Sequence, residues 1–293
     1  MKRRVKLLIA ALLAASAISA TACGNPVTAE AEGEPPVVDI PSDVDLQTYV
    51  LPLDAYIFSL KDHRILDRAR AIITTACLER FGYRVAVPQI PEPLQSKNAE
   101  RYGIVDIGKA KRFGYHPDPL LISNRPVEPE LPAGAYAVMH GEVSTSTGTQ
   151  VPEGGCLGEA RRQIKSVEQD RMAPAYALAG ESSRKARNDS RVTAALGQWA
   201  ACMAQRGYQY TDPLKANDDN RWQEKPSATT DEIQVAVADV ECKRATNLVG
   251  VWISVESAYQ ERAVEKNSES LRELKTIMDR ELRNAATVSA GAR

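Results

Sequence analysis

Two histidine–carboxylate pairs are the side chains in this sequence best suited to acid–base chemistry. His116 stands two residues before Asp118, and His140 stands two residues before Glu142. An imidazole beside a carboxylate exchanges a proton near neutral pH, and the same pair suits a metal ion. His116 and His140 are therefore candidate site residues. The spacing itself favours a structural or loop histidine over a site residue, and it predicts no metal centre.

Trp222 is the third candidate ligand contact. It lies in a polar stretch directly after Asp218 and Asp219. An indole in such a loop would either stack on a sugar or a partner protein, or fold back over the core. Both interpretations stay open from the sequence.

Two further motifs approach catalytic signatures without completing them. The stretch Gly103–Ala110 is similar to a phosphate-binding loop, but alanine stands where Ser or Thr would hold Mg²⁺. The stretch Ser182–Lys185 contains Ser-x-x-Lys, but the chain lacks the Lys-Thr-Gly that accompanies it in penicillin-binding proteins. The sequence therefore predicts no catalytic residue, no cofactor and no metal.

The amino-terminal residues have the pattern of an export signal. Four basic residues within the first six precede an apolar stretch, 7–20, which is too short to span a bilayer as a mature helix. Ala20–Cys23 follows and resembles a bacterial lipobox. We therefore predict a signal peptide over 1–22 and a lipid on Cys23, which would anchor the chain to the outer face of the bacterial cytoplasmic membrane. A plain secretory Ala-x-Ala site with an incidental cysteine is the alternative.

The cysteine count supports the lipidated form. The chain has five cysteines, so four remain when Cys23 is modified. An even number suits disulfide pairing in an oxidising compartment. Four cysteines allow three pairings, and the choice among them depends on a repeated pattern.

The repeated pattern is a helix that ends in Cys, then Gly, then Tyr. Gly82 and Gly207 each lie five residues after a cysteine, and Tyr83 and Tyr208 follow them. Glycine provides the positive φ that ends a helix. We interpret each copy as a helix end held by a bridge to one later cysteine. This favours Cys77–Cys156 and Cys202–Cys242.

Composition and periodicity predict the elements that would position these residues. Residues 24–60 carry seven acidic residues and no basic one, which indicates an extended tether, placed at 23–50. Two helix–cysteine units follow at 51–180 and 185–286, and a disordered tail covers 287–293. Helical periodicity is clearest over 157–178, 189–206 and 230–286, whereas the proline-rich stretch 117–132 is typical of coil.

The predicted fold class is mainly α: disulfide-stapled helical domains with long proline-rich loops and at most a few short strands, one of them at 136–139. On the longest helix, Gly250 is the expected bend or break. Glu256 and Gln260 lie one turn apart, which favours a solvated face.

The whole pattern resembles actinobacterial-type lipoproteins, for which no activity is assigned. The likeness lies in the lipobox-like residues together with Val151–Cys156, Trp199, Cys202-Met203, Gly207-Tyr208 and Asp239–Lys243. It implies a location and adds no catalytic residue.

These observations favour a lipid-anchored envelope protein that acts as a non-enzymatic binding or interaction module. Its partners would be the membrane, through Cys23, and a protein or cell-wall polymer. A net charge of −1 over 293 residues gives no electrostatic basis for nucleic-acid binding. The alternative is a secreted envelope hydrolase that uses carboxylates or the pair His116 and His140.

Overall fold

The computed structural model describes residues 33–292, and these residues are mainly helical. A short 3-10 helix (Pro52–Tyr56) precedes the α-helices, which are α1 (Leu60–Arg80), α2 (Ile107–Phe113), α3 (Pro119–Ser123), α4 (Ala135–His140), α5 (Gly155–Ile164), α6 (Gln169–Asn188), α7 (Ser190–Gln205), α8 (Pro213–Asn217), α9 (Asn220–Gln223), α10 (Thr230–Ala245), α11 (Leu248–Lys266) and α12 (Ser268–Gly291). Within that range the only sheet is the antiparallel pair β1 (Thr145–Ser146) and β2 (Thr149–Gln150). The predicted fold class is confirmed.

Three large apolar clusters hold the helices together. The first packs α7, α10 and α11 around Trp199 and Trp252. The second joins α1, α5, α6 and α12, and the third surrounds Cys77 and Cys156 where α1, α4 and α5 meet. Because α12 packs on α1 and α5, the two predicted helix–cysteine units share a core. They form one compact body from Pro35 onward.

Both repeated helix ends have the same backbone hydrogen bonds. At the end of α1, the Tyr83 amide donates to Leu78 and the Gly82 amide donates to Glu79. At the end of α7, the amides of Tyr208 and Gly207 make the equivalent bonds to Met203 and Ala204. This is the Schellman arrangement, and it requires the positive φ of the two glycines, +83° and +89°.

The structure contains the two disulfides that the repeat favours. Cys77 of α1 is joined to Cys156 of α5, and Cys202 of α7 is joined to Cys242 of α10. The paired Cα atoms lie 5.6 and 5.7 Å apart, within the usual range for disulfides. Each bridge therefore fixes a capped helix end to a second helix.

Several predicted boundaries differ from the structure. The long helix predicted over 230–286 is three helices, because the chain turns at Asn247, where φ is +49°, and again at Asn267. The helix predicted over 157–178 is divided between α5 and α6 at Lys165, where φ is +54°. The strand predicted at 136–139 lies in α4. The helix predicted over 189–206 is confirmed as α7, with Asp189 as its cap.

The ends of the described chain are also more ordered than predicted. Part of the segment 23–50 packs on the body, because Leu46 is buried in the first cluster with Val37, Val44 and Tyr49 against it. At the other end, the predicted tail 287–293 is helical as far as Gly291, since Val288 packs against the second cluster. The predicted signal peptide, Cys23 and the first part of the tether lie outside the described residues.

Candidate ligand-binding pocket

An apolar cavity of about 430 Å³ lies beside the first disulfide, and we call it the α1–α4–α5 pocket. Besides those helices, two loop stretches, 85–88 and 128–131, contribute to its walls. Its apolar lining consists of Ala71, Leu78, Val85, Pro88, Pro129, Leu131, Met139 and Leu157. This size and lining are typical of sites that bind small molecules.

The inner wall belongs to α1, which is fixed at both ends. At its start, the Asp62 amide donates to the Ser59 hydroxyl, and the Asp62 carboxylate accepts from the Ser59 amide at 2.8 Å. This capping box satisfies amides that the first turn leaves free. At its end, the Schellman turn and the bridge from Cys77 hold the last turn. Thr74 and Thr75, which line the pocket, are therefore held in a fixed place.

Close backbone contact between α4 and α5 forms the opposite wall. Gly155 begins α5 with φ at +66°, and a Cβ atom there would overlap the carbonyl oxygens of Met139 and Val138. Only glycine fits such a position without strain. The contact brings Met139, near the end of α4, and Leu157, in the first turn of α5, into one cavity.

The Thr74 hydroxyl is one of two buried, unpartnered polar groups on residues that line this pocket, the other being Nε of Arg70. Thr74 is 7% exposed, and its Oγ1 has no hydrogen-bond partner among the described residues. A buried hydroxyl without a partner costs about 1–3 kcal/mol. A bound molecule with a hydrogen-bonding group would remove that cost.

The charge on the pocket wall is largely balanced within the protein. The Arg70 guanidinium donates to Asp67 at 3.2 Å and to Glu281 at 2.8 Å. Glu281 is buried and also accepts from the Val167 amide at 2.8 Å. Glu128 is the other charged residue that lines the cavity. The pocket therefore offers no unbalanced positive charge for an anionic ligand.

His140 lies at the edge of this pocket, next to Tyr136. Their ring centroids are 4.3 Å apart, and Tyr136 is exposed while His140 is also accessible from the surface. Among the described residues, no hydrogen bond joins His140 to Glu142. The structure thus places His140 beside the Tyr136 ring at the edge of the pocket, and it does not pair His140 with Glu142.

His116 lies elsewhere and is held by two acceptors. Its Nδ1 lies 2.8 Å from the buried Glu232 carboxylate, and its Nε2 lies 3.0 Å from the Lys225 carbonyl oxygen. Since both partners are acceptors, both ring nitrogens act as donors. The hydrogen bond to Glu232 and then the bond to Lys225 raise the pKa of His116. Both ring nitrogens are therefore engaged, and these bonds favour the protonated form of the side chain.

Asp118, the predicted partner of His116, caps α3 instead. Its carboxylate accepts from the Leu120 amide at 2.9 Å. His116 and Asp118 do line one polar cavity of about 480 Å³, but His140 lies in the other cavity. Two more carboxylates of the polar cavity, Asp45 and Asp106, also accept local backbone amides. The structure does not bring the two histidines into one site.

The stacking surface predicted for Trp222 is absent, because the side chain is buried. Trp222 is 4% exposed, and its Nε1 donates to the Ala216 carbonyl at 2.8 Å. The rings of Tyr115 and Trp222 stack with centroids 6.2 Å apart. Of the two interpretations that the sequence left open, the structure therefore shows the one in which the loop folds its indole over the core.

Two buried ionic networks were not predicted from the sequence. Asp239 accepts from Lys243 at 3.0 Å and from the Trp199 indole at 2.9 Å, and both charged residues are nearly inaccessible. Glu256 accepts from Arg101 and from the Tyr102 hydroxyl, so the solvated face expected for Glu256 is wrong. The spacing of Asp239 and Lys243, four residues on one helix, was the available signal for the first network.

Two negative findings apply to residues 33–292. No group of three or more His, Cys, Asp or Glu side chains there is arranged to hold a metal ion. No helix in that range combines the length and the apolar character that a membrane crossing requires.

Comparison of the chain with known proteins gave no match: no protein-family model, no curated protein and no solved structure is similar to it.

Proposed function

We propose that this chain is a lipid-anchored envelope protein that binds a small, mainly apolar molecule in the α1–α4–α5 pocket. The observation that carries the proposal is an apolar cavity of about 430 Å³ whose lining includes Thr74, a buried residue whose hydroxyl has no partner in the described residues. An apolar site with a few placed polar groups is the usual form of a ligand pocket. The proposed activity is binding and not catalysis.

The proposed location on the outer face of the cytoplasmic membrane has separate support. Both disulfides are consistent with an oxidising compartment, where structural bridges persist. The anchor itself depends on the lipobox-like Ala20–Cys23. The binding site and the anchor are therefore tested by different experiments.

The hydrolase alternative lacks a supporting observation in the described residues. His116 uses both ring nitrogens in hydrogen bonds, and His140 belongs to a different cavity. A general base needs a free acceptor within reach of the substrate. We therefore propose the binding function and not the hydrolase.

Binding can be tested with the uncharged fluorophore N-phenyl-1-naphthylamine and the full chain carrying Cys23→Ser. We expect saturable fluorescence enhancement, which Leu157→Asp should reduce at least tenfold in affinity by placing a carboxylate in the apolar wall. Leu120→Asp is the matched control, because Leu120 is 65% exposed and lies outside the pocket. Equal binding by wild type and Leu157→Asp would overturn the pocket assignment.

The anchor is tested by labelling cells with an alkyne fatty acid. We expect the wild-type chain to carry the label and Cys23→Ser to lose it. Cys202→Ser with Cys242→Ser is the control, since it removes both sulfurs of a disulfide far from the amino terminus and should stay labelled. An unlabelled wild-type chain, released into the medium, would contradict the lipid anchor.

A further inference from the structure

The two copies of the helix–cysteine pattern allow one pocket position to be compared with its counterpart. α1 and α7 end in the same Cys-x4-Gly-Tyr sequence and the same Schellman hydrogen bonds. Residues at equal distances before the cysteine therefore have equal places on their helices. Three residues before Cys77 stands Thr74, and three residues before Cys202 stands Trp199.

These two equivalent positions have opposite surroundings. Trp199 is fully buried in the first cluster, and its indole Nε1 donates to the Asp239 carboxylate at 2.9 Å. Thr74 lines an open cavity, and its hydroxyl has no partner in the described residues. The second unit thus carries a buried indole at the helix position where the first unit carries Thr74 beside a cavity.

We infer that the α1–α4–α5 pocket binds a compact, uncharged aromatic molecule with one hydrogen-bonding group, seated beside Thr74 as the indole of Trp199 is seated in the second unit. This inference rests on the proposed binding function and names its ligand class. The Thr74 hydroxyl satisfies the polar group of the ligand, as Asp239 satisfies the Trp199 indole.

The walls of the pocket suit an aromatic ring better than a saturated one. The rim holds the paired rings of Tyr136 and His140, and the interior holds the Met139 thioether. Aromatic and sulfur–aromatic contacts each contribute about 0.5–1.5 kcal/mol beyond apolar burial. Since Arg70 is already paired with Asp67 and Glu281, an uncharged ligand is favoured over an anion.

A matched pair of probes tests this inference: 2-naphthol, and decahydro-2-naphthol, which has the same skeleton and hydroxyl without aromaticity. The Met139 methyl group, labelled with ¹³C, reports the pocket directly, while the buried Met203 and Met278 report distant cores. We expect 2-naphthol to shift the Met139 signal and to bind at least tenfold more tightly than the saturated alcohol.

Variants of the full chain with Cys23→Ser then locate the ring and its hydroxyl. Thr74→Trp should abolish binding by filling the site, as Trp199 does in the second unit. Thr74→Val keeps the shape and should weaken binding about fivefold by removing the hydrogen bond. Tyr136→Ala should weaken binding, whereas Tyr176→Ala, at a tyrosine outside the pocket, should not.

The outcomes separate this inference from the proposed function. Equal affinity for the two alcohols, with a shifted Met139 signal, would leave a binding pocket but overturn the aromatic ligand class. Unchanged 2-naphthol affinity in both Thr74→Val and Tyr136→Ala would also overturn it. A Met139 signal that neither alcohol moves would overturn the inference and the proposed function together.

Discussion

The His116–Glu232 pair illustrates how a residue chosen for chemistry can have a structural role. Asp118, two residues away, suggested a catalytic pair, but the carboxylate that binds His116 is 116 residues further along the chain. Among the described residues, Oε2 of Glu232 has no hydrogen-bond partner. The buried carboxylate is therefore stabilised by His116 and the Tyr115 amide, which both contact Oε1. Removing the imidazolium would leave Glu232 poorly compensated.

His116 should make stability depend on pH near neutrality. Because its pKa is raised in the folded chain, the stabilisation is complete below about pH 6.5, the unfolded value, and is lost as pH rises through the folded pKa. We expect the free energy of unfolding in urea to fall as the pH rises above about 6.5. His116→Gln should cost about 2 kcal/mol at pH 6 and flatten this dependence. His140→Gln is the control; a pH profile that only this variant flattens would contradict the assignment.

The buried pair Asp239 and Lys243 should be far more sensitive than a surface pair of the same spacing. Burial raises the pKa of Asp239 and lowers the pKa of Lys243, because both charged forms are withdrawn from water. Lys243→Met leaves Asp239 without its cation, and we expect a loss of about 3–5 kcal/mol in urea unfolding. Adding Asp239→Asn should recover part of that loss.

The matched control for this pair is Lys185, which binds Glu181 at the same i, i+4 spacing with both side chains half exposed. Lys185→Met should cost less than about 1 kcal/mol. Equal losses for the two methionine variants would mean that burial of the Asp239–Lys243 pair has no energetic consequence.

Predictions at the residue scale succeeded where the signal was local. The Cys-x4-Gly-Tyr spacing is local and identified the two helix ends, and joining each to one later cysteine gave the disulfide pairing that the structure contains. The sequence left the burial of Trp222 open and placed Glu256 on a solvated face, because the burial of both depends on how separate segments of the chain pack together. A polar neighbourhood in sequence says little about what covers a side chain in space.

At the scale of elements, glycine marks helix ends correctly only where the backbone needs a positive φ. Gly250, expected to break the longest helix, lies inside α11, and the break occurs at Asn247. Position 250 requires glycine because of packing. A Cβ atom there would overlap the Pro41 carbonyl oxygen, so glycine allows the amino-terminal segment to pack on α11. Periodicity alone does not distinguish these two uses of glycine.

Two glycines with open surroundings separate the effect of φ from the effect of packing. A Cβ atom added at Gly82 or at Gly197 would meet no other atom within 4 Å. Gly82 has φ at +83°, whereas Gly197 is inside α7. We expect Gly82→Ala to lower the free energy of unfolding by about 1–2 kcal/mol and Gly197→Ala to raise it by about 0.5–1 kcal/mol. Urea unfolding measures both; changes of the same sign would argue against the Schellman assignment.

At the scale of the molecule, composition and periodicity were sufficient for the mainly helical class but not for its assembly. The repeat suggested two separate units, yet α12 packs on α1, and Leu271, Leu274 and Met278 join the core around Leu66. The α1–α4–α5 pocket was not predicted, since its walls come from five stretches spread over residues 70–157. Of the predicted candidates, only His140 lies on it.

The two disulfides should stabilise the molecule similarly but affect the pocket differently. Their sequence separations, 79 and 40 residues, correspond to about 4.5 and about 4 kcal/mol in the loop-entropy model. We expect Cys77→Ser with Cys156→Ser, and Cys202→Ser with Cys242→Ser, to lower the free energy of unfolding by comparable amounts. Only the first pair should weaken 2-naphthol binding, because its bridge holds the helices that carry Thr74 and Leu157. Urea unfolding measures the stability of each variant. The Met139 methyl shift measures 2-naphthol binding under urea-free conditions where each variant is folded. Equal loss of affinity in both variants would show that the pocket depends on global stability and not on the bridge beside it.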